Sequence, residues 1–104
     1  MMSERERIKK LNQLFFDNAA YLVFQARQII APNSYGHFAL IKGLDKVLEL
    51  QKHSKEIDDS EFYDKIRNEM KSVSEVSSSD IAMWRPFLDK LAKIFVEKMK
   101  TPIS

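Results

Sequence analysis

The sequence predicts an all-α fold: an antiparallel bundle of four main helices, the first the longest, in one domain spanning residues 1–104. Three observations lead there. Apolar residues recur in steps of three and four along four separate stretches, the spacing that gathers them on one side of a helix. Only two glycines and three prolines interrupt the 104 residues, leaving few sites for the tight turns of a many-stranded sheet. Runs of Val, Ile and Thr alternating with polar residues, the mark of strands, are absent.

The first helix is expected from Ser3 to about Ala31. Ile8, Leu11, Phe15, Ala19, Leu22, Ala26, Ile29 and Ile30 form its seam. Ser3 can cap the start, with Glu4 and Glu6 near the positive end of the helix dipole. Pro32 ends it, because a residue before proline is pushed out of the helical region. Leu14, Tyr21 and Phe24 fall on the side roughly opposite that seam. A helix apolar on two sides is usually covered on both. Either another helix of the chain or a second copy must then cover these three residues.

Asn33 or Ser34 can cap a second helix from about Tyr35 to Lys52, whose seam is Leu40, Ile41, Leu44, Val47 and Leu48. The short link folds it back on the first. Gly36 and Gly43 each cost about 1 kcal/mol of helix propensity, which suggests a close helix crossing. Within this hairpin, Tyr21-Leu22-x-x-x-Ala26-Arg27, Pro32 and Tyr35-Gly36-x-Phe38-x-Leu40 resemble the core of a small uncharacterised prokaryotic family of helical proteins of about this length. The resemblance covers residues 19–50. It implies a helical fold and no known activity, so it assigns no functional residue.

Asp58-x-x-Glu61 has the form of a capping box and predicts a third helix to about Val73, with the seam Phe62, Ile66, Met70 and Val73. Ser72–Ser79 is the most loop-like stretch and the best place for mobility. Trp84-Arg85-Pro86 predicts one turn over Asp80–Met83, a break, and a last helix from Pro86 to about Lys100. Its seam is Phe87, Leu88, Leu91, Ile94 and Phe95, and Pro102 closes the chain.

Composition narrows the function class. With 44% hydrophobic and 31% charged residues the chain reads as soluble and globular. No apolar run nears the roughly 20 residues needed to span a bilayer, so no membrane association is expected. The absence of cysteine removes thiolate metal sites and disulfides and fits a reducing cytoplasm. Seventeen basic and fifteen acidic residues are interleaved, whereas a nucleic-acid binder clusters its basic residues, so no nucleic-acid partner is expected.

Candidate chemistry is sparse. His37 and His53 are the two histidines. His37 reads as a structural histidine at a helix terminus, with a buried base beside Tyr35 or Arg27 as the alternative. Asp45, Glu49 and His53 align at i, i+4 and i+8, but on the side away from the leucine seam, so they read as a solvated face and no metal is expected. Arg27 is expected to pair with a carboxylate such as Asp45 or to lay its stem along the helix. Trp84 reads as core, and Lys90, Lys93, Lys98 and Lys100 as a solvated basic face. No Walker loop, GxSxG, HExxH or paired-cysteine motif is present, so no cofactor is expected. The favoured reading is a non-enzymatic interaction or assembly module, a homodimer joined through Leu14, Tyr21 and Phe24. The alternative is a small-molecule-binding or catalytic bundle with a site near Arg27, Tyr35 and His37.

Overall fold

Four helices account for most of the computed structural model, which describes residues 2–101: α1 (Glu4–Ile29), α2 (Gly36–His53), α3 (Ser60–Met70) and α4 (Ile81–Met99). Among the described residues there is no strand, and α1 is the longest helix, about 39 Å at 1.5 Å per residue. Pro102 lies outside the described residues. The helix starts follow local chemistry where a cap is available. The Ser3 hydroxyl accepts from the Glu6 amide at 3.1 Å, and the Asp80 carboxylate accepts from Met83 N at 3.3 Å. At α2 neither Asn33 nor Ser34 is the cap: the N-cap is Tyr35, which makes no side-chain capping bond, and the Ser34 hydroxyl accepts from the Gly36 amide at 3.1 Å just outside the helix.

α1 packs on α2 and α4, and α3 packs on the same two helices. One core draws on all four. The buried seam of α1 is Phe15, Phe16, Ala19, Ala20, Val23 and Ala26, rotated from the expected one. Ile8, Leu11 and Leu22 are half-buried and Ile29 is exposed. Two neighbours instead of one explain the shift: α1 needs a wide buried sector, and small Ala19, Ala20 and Ala26 let both helices approach. The seam of α2 runs as expected through Ile41, Leu44 and Leu48, with His37 and Gln51 extending it at either end. Gly36 does mark a close approach, since a Cβ there would lie 2.6 Å from Ile29 Cδ1. Gly43 does not: a Cβ there would meet nothing within 4 Å.

The capping box at Asp58 does not form. The N-cap of α3 is Asp59, in the left-handed region at φ 68°, and its side chain makes no capping bond. Asp is among the few residues that tolerate this conformation. The carboxylate turns instead to Lys98 on α4, 2.6 Å away. Asp58 is held from the other side, its amide donating to Asn12 Oδ1 at 2.6 Å while Asn12 Nδ2 donates to Glu56 O at 2.7 Å. An asparagine inside α1 therefore supplies what the local cap was expected to supply. α3 ends at Met70 and tightens into a 3₁₀ turn over Lys71–Val73.

The break expected before Pro86 is absent, and α4 is one continuous helix with Pro86 inside it. Pro86 sits close to the N-terminus, so it frees only the Ala82 carbonyl, and both residues are exposed to water. Buried Trp84 and Phe87 on either side hold the segment against the core.

Candidate functional site

The N-terminal end of α2 carries the one buried histidine. His37 is fully buried, and its Nε2–H donates to Ser78 O at 2.7 Å. A carbonyl only accepts, so Nε2 is the donor, while Nδ1 is buried without a hydrogen-bond partner among the described residues. The Trp84 indole stands edge-on to the imidazole, centroids 5.4 Å apart, and donates Nε1–H to Ser77 O at 3.0 Å. Ser77 O also accepts from Asp80 N at 3.0 Å. The serine-rich loop is thus fastened at two successive carbonyls by buried rings from α2 and α4.

The other residues singled out by sequence lie elsewhere. Tyr35 is 75% exposed. Arg27 pairs through Nε with Asp89 on α4 at 2.7 Å, not with Asp45. No hydrogen bond or ion pair joins Arg27, Tyr35 and His37 among the described residues. Leu14 and Tyr21 are 49% and 59% exposed on the side of α1 opposite its buried seam. Phe24 is half-buried against the core and lines a groove of about 600 Å³ between α1 and α4 with Arg27, Arg85, Leu88 and Asp89. Asp45, Glu49 and His53 are all exposed. Among the described residues no three His, Asp or Glu side chains are grouped to hold a metal ion. Lys90 and Lys98 cross from α4 to Glu69 and Asp59, at 2.9 and 2.6 Å.

A second groove, of about 310 Å³, opens between α2 and the end of α3. Phe38, Ile41, Met70, Val73 and Trp84 form its apolar floor, and Lys42, Asp45, Arg67 and Lys71 its rim. Arg67 is committed to the fold: it pairs with Asp64 at 2.6 Å, donates to Leu48 O at 2.7 Å and bonds Gln51 Oε1. Those bonds satisfy carbonyl groups near the end of α2 and tie it to α3. Lys42 rests over the Phe38 ring, 5.2 Å from its centroid. The sequence did not mark this groove as a site, because its residues come from α2, α3, the 3₁₀ turn and α4. Phe38, spaced one turn before Lys42, was the one local signal.

Among the described residues titration is perturbed at three groups. Burial pushes the Tyr63 phenol above the ordinary tyrosine range, and the charges of Asp59 and Asp17 push it the same way. Hydrogen bonds that Arg7 donates to Glu4 and Glu56 raise its pKa, and Arg7 in turn lowers that of Glu4. Arg7 and Glu4 are exposed, so they screen one another at the surface and do no site chemistry.

No helix of the described residues is long and apolar enough to cross a membrane. No family model matches the chain, nor does any curated protein or solved structure, so the residues themselves carry the functional argument.

Proposed function

We propose that the protein is a non-enzymatic helical interaction module that assembles with its own copy through the outer face of α1, in the cytoplasm. The observation that carries this is the exposure of Leu14 and Tyr21, two large side chains aligned seven residues apart on the face opposite the core. Water tolerates single apolar residues, but aligned ones on a long helix mark a contact surface. Closed two-fold dimers are the commonest assembly, and their interfaces are self-complementary. An antiparallel copy of α1 centred between Asp17 and Asn18 brings Leu14 against the partner's Tyr21, twice. Phe24 stands at the edge of that contact, beside the α1–α4 groove. An antiparallel bundle underlies the reading, supported by short connections and by the packing of both α1 and α3 on α2 and α4. The cytoplasmic assignment rests on the cysteine-free sequence.

The test is Leu14→Glu combined with Tyr21→Lys, both exposed and so replaceable without opening the core. Light scattering after size exclusion should give a dimer for the wild type and a folded monomer for the variant. A wild type that stays monomeric at high concentration refutes the proposal, and a dimer that survives both changes moves the interface off α1.

A further inference from the structure

We propose that the groove between α2 and the end of α3 binds an amphipathic monoanion, a carboxylate on a hydrocarbon chain of medium length. The site is separate from the outer face of α1, so this inference does not depend on self-association.

Shape, polarity and charge each limit the occupant. About 310 Å³ lies at the small end of the roughly 300–1,000 Å³ typical of small-molecule sites, which suits one short chain and not a folded partner. The floor is built from Phe38, Met70, Val73 and Trp84, which offer carbon surface and no acceptor. An entering chain would release water from that surface. The charges stand at the rim. Lys42 on α2 and Lys71 on the 3₁₀ turn come from the two walls, and neither joins an ion pair among the described residues. Arg67 is paired with Asp64, and its other terminal nitrogen donates to Leu48 O and Gln51. The two free ammonium groups thus face the single carboxylate of Asp45, leaving one positive charge for a ligand to neutralise. A monocarboxylate fits that balance. A neutral alcohol leaves it unmet, and a cationic amphiphile opposes it.

The contrast with the larger groove between α1 and α4 supports this choice. There Arg27 and Asp89 already neutralise each other at 2.7 Å, and the remaining lining is shared among Gln28, Arg85 and three apolar residues. In the α2–α3 groove an apolar floor instead meets two lysines from opposite walls, neither in an ion pair among the described residues.

Trp84 is the single tryptophan of the chain and lies in the groove floor, so its fluorescence reports occupancy directly. Decanoate, titrated below its micelle concentration, should give a saturable change in Trp84 emission. Decanol and decyltrimethylammonium should bind at least ten-fold more weakly. Lys42→Glu with Lys71→Glu should abolish the decanoate response and leave the helical circular dichroism unchanged. If the glutamates disturb folding, Lys42→Gln with Lys71→Gln makes the same test without adding negative charge and should weaken binding at least ten-fold. No response to decanoate overturns the proposal. Equal affinity for the three amphiphiles, or full binding by the folded glutamine variant, overturns it as well.

Discussion

The two ends of α4 are both aromatic and differ in what their rings do. At the C-terminal end, Phe95 meets Phe16 and Phe62, which continue through Tyr63 to Phe15, with centroids 5.1 to 5.8 Å apart. This cluster ties α1, α3 and α4 together by apolar area and ring geometry, each pair adding about 0.5–1.5 kcal/mol beyond burial. About 16 Å back along the helix, Trp84 meets His37, Phe38 and Phe87 at 5.4, 6.0 and 5.6 Å. Here two rings also spend their N–H groups on the carbonyls of Ser77 and Ser78. The first end stabilises the fold, and the second trades part of that for holding an irregular segment beside a groove. Ring packing and the fastening of a loop are divided between two ends of one helix.

The largest expected effect tests the first end. Phe95 is fully buried between two other rings, so Phe95→Ala should cost about 3–5 kcal/mol, read by urea denaturation. A loss under 1 kcal/mol would show that this cluster is not the main anchor.

Trp84→Phe tests the second end. It keeps an aromatic ring but removes the donor to Ser77 O, and should cost about 1–3 kcal/mol. Proteolysis and amide exchange at Ser74–Ser79 should accelerate more than elsewhere. Uniform acceleration along the chain would mean that the indole holds the core and not the loop.

The smallest effect separates area from titration at the first end. With its phenol pushed upward, Tyr63 binds its proton more tightly in the folded chain than in the unfolded one. Its contribution is therefore complete below the unfolded value near pH 10 and is lost as the pH rises beyond it. Wild-type stability relative to Tyr63→Phe should fall by roughly 1 kcal/mol between pH 9 and 11, a change set by the ~1.4 kcal/mol per pH unit of a single proton. Parallel pH curves for the two proteins would contradict this.

Local signals were legible in the sequence where one element contains its own cause. The Ser3 cap, the end of α1 shortly before Pro32, the α2 seam through Leu44 and Leu48, and the burial of Trp84 all follow from neighbours within a turn or two. His37 read correctly as a hydrogen-bonded residue at a helix terminus, but its partner did not, because Ser78 is 41 residues away. Of the groove, only the Phe38–Lys42 spacing was legible, since a floor assembled from α2, α3, the 3₁₀ turn and α4 has no spacing of its own to detect.

By itself, then, the sequence determined that the chain is helical, that the first helix is longest, and which residues could be buried. Periodicity and capping act over 3.6 residues and need no partner. Only the tertiary structure decided which apolar side of α1 turned inward. Phe16, Ala20 and Val23 won because α1 lies against two helices, while Leu14 and Tyr21 stayed outside. It also moved the start of α3 to Asp59, through Asn12 and Lys98, and kept α4 whole across Pro86. In each case a contact distant in sequence outweighed a local preference worth at most about 3 kcal/mol.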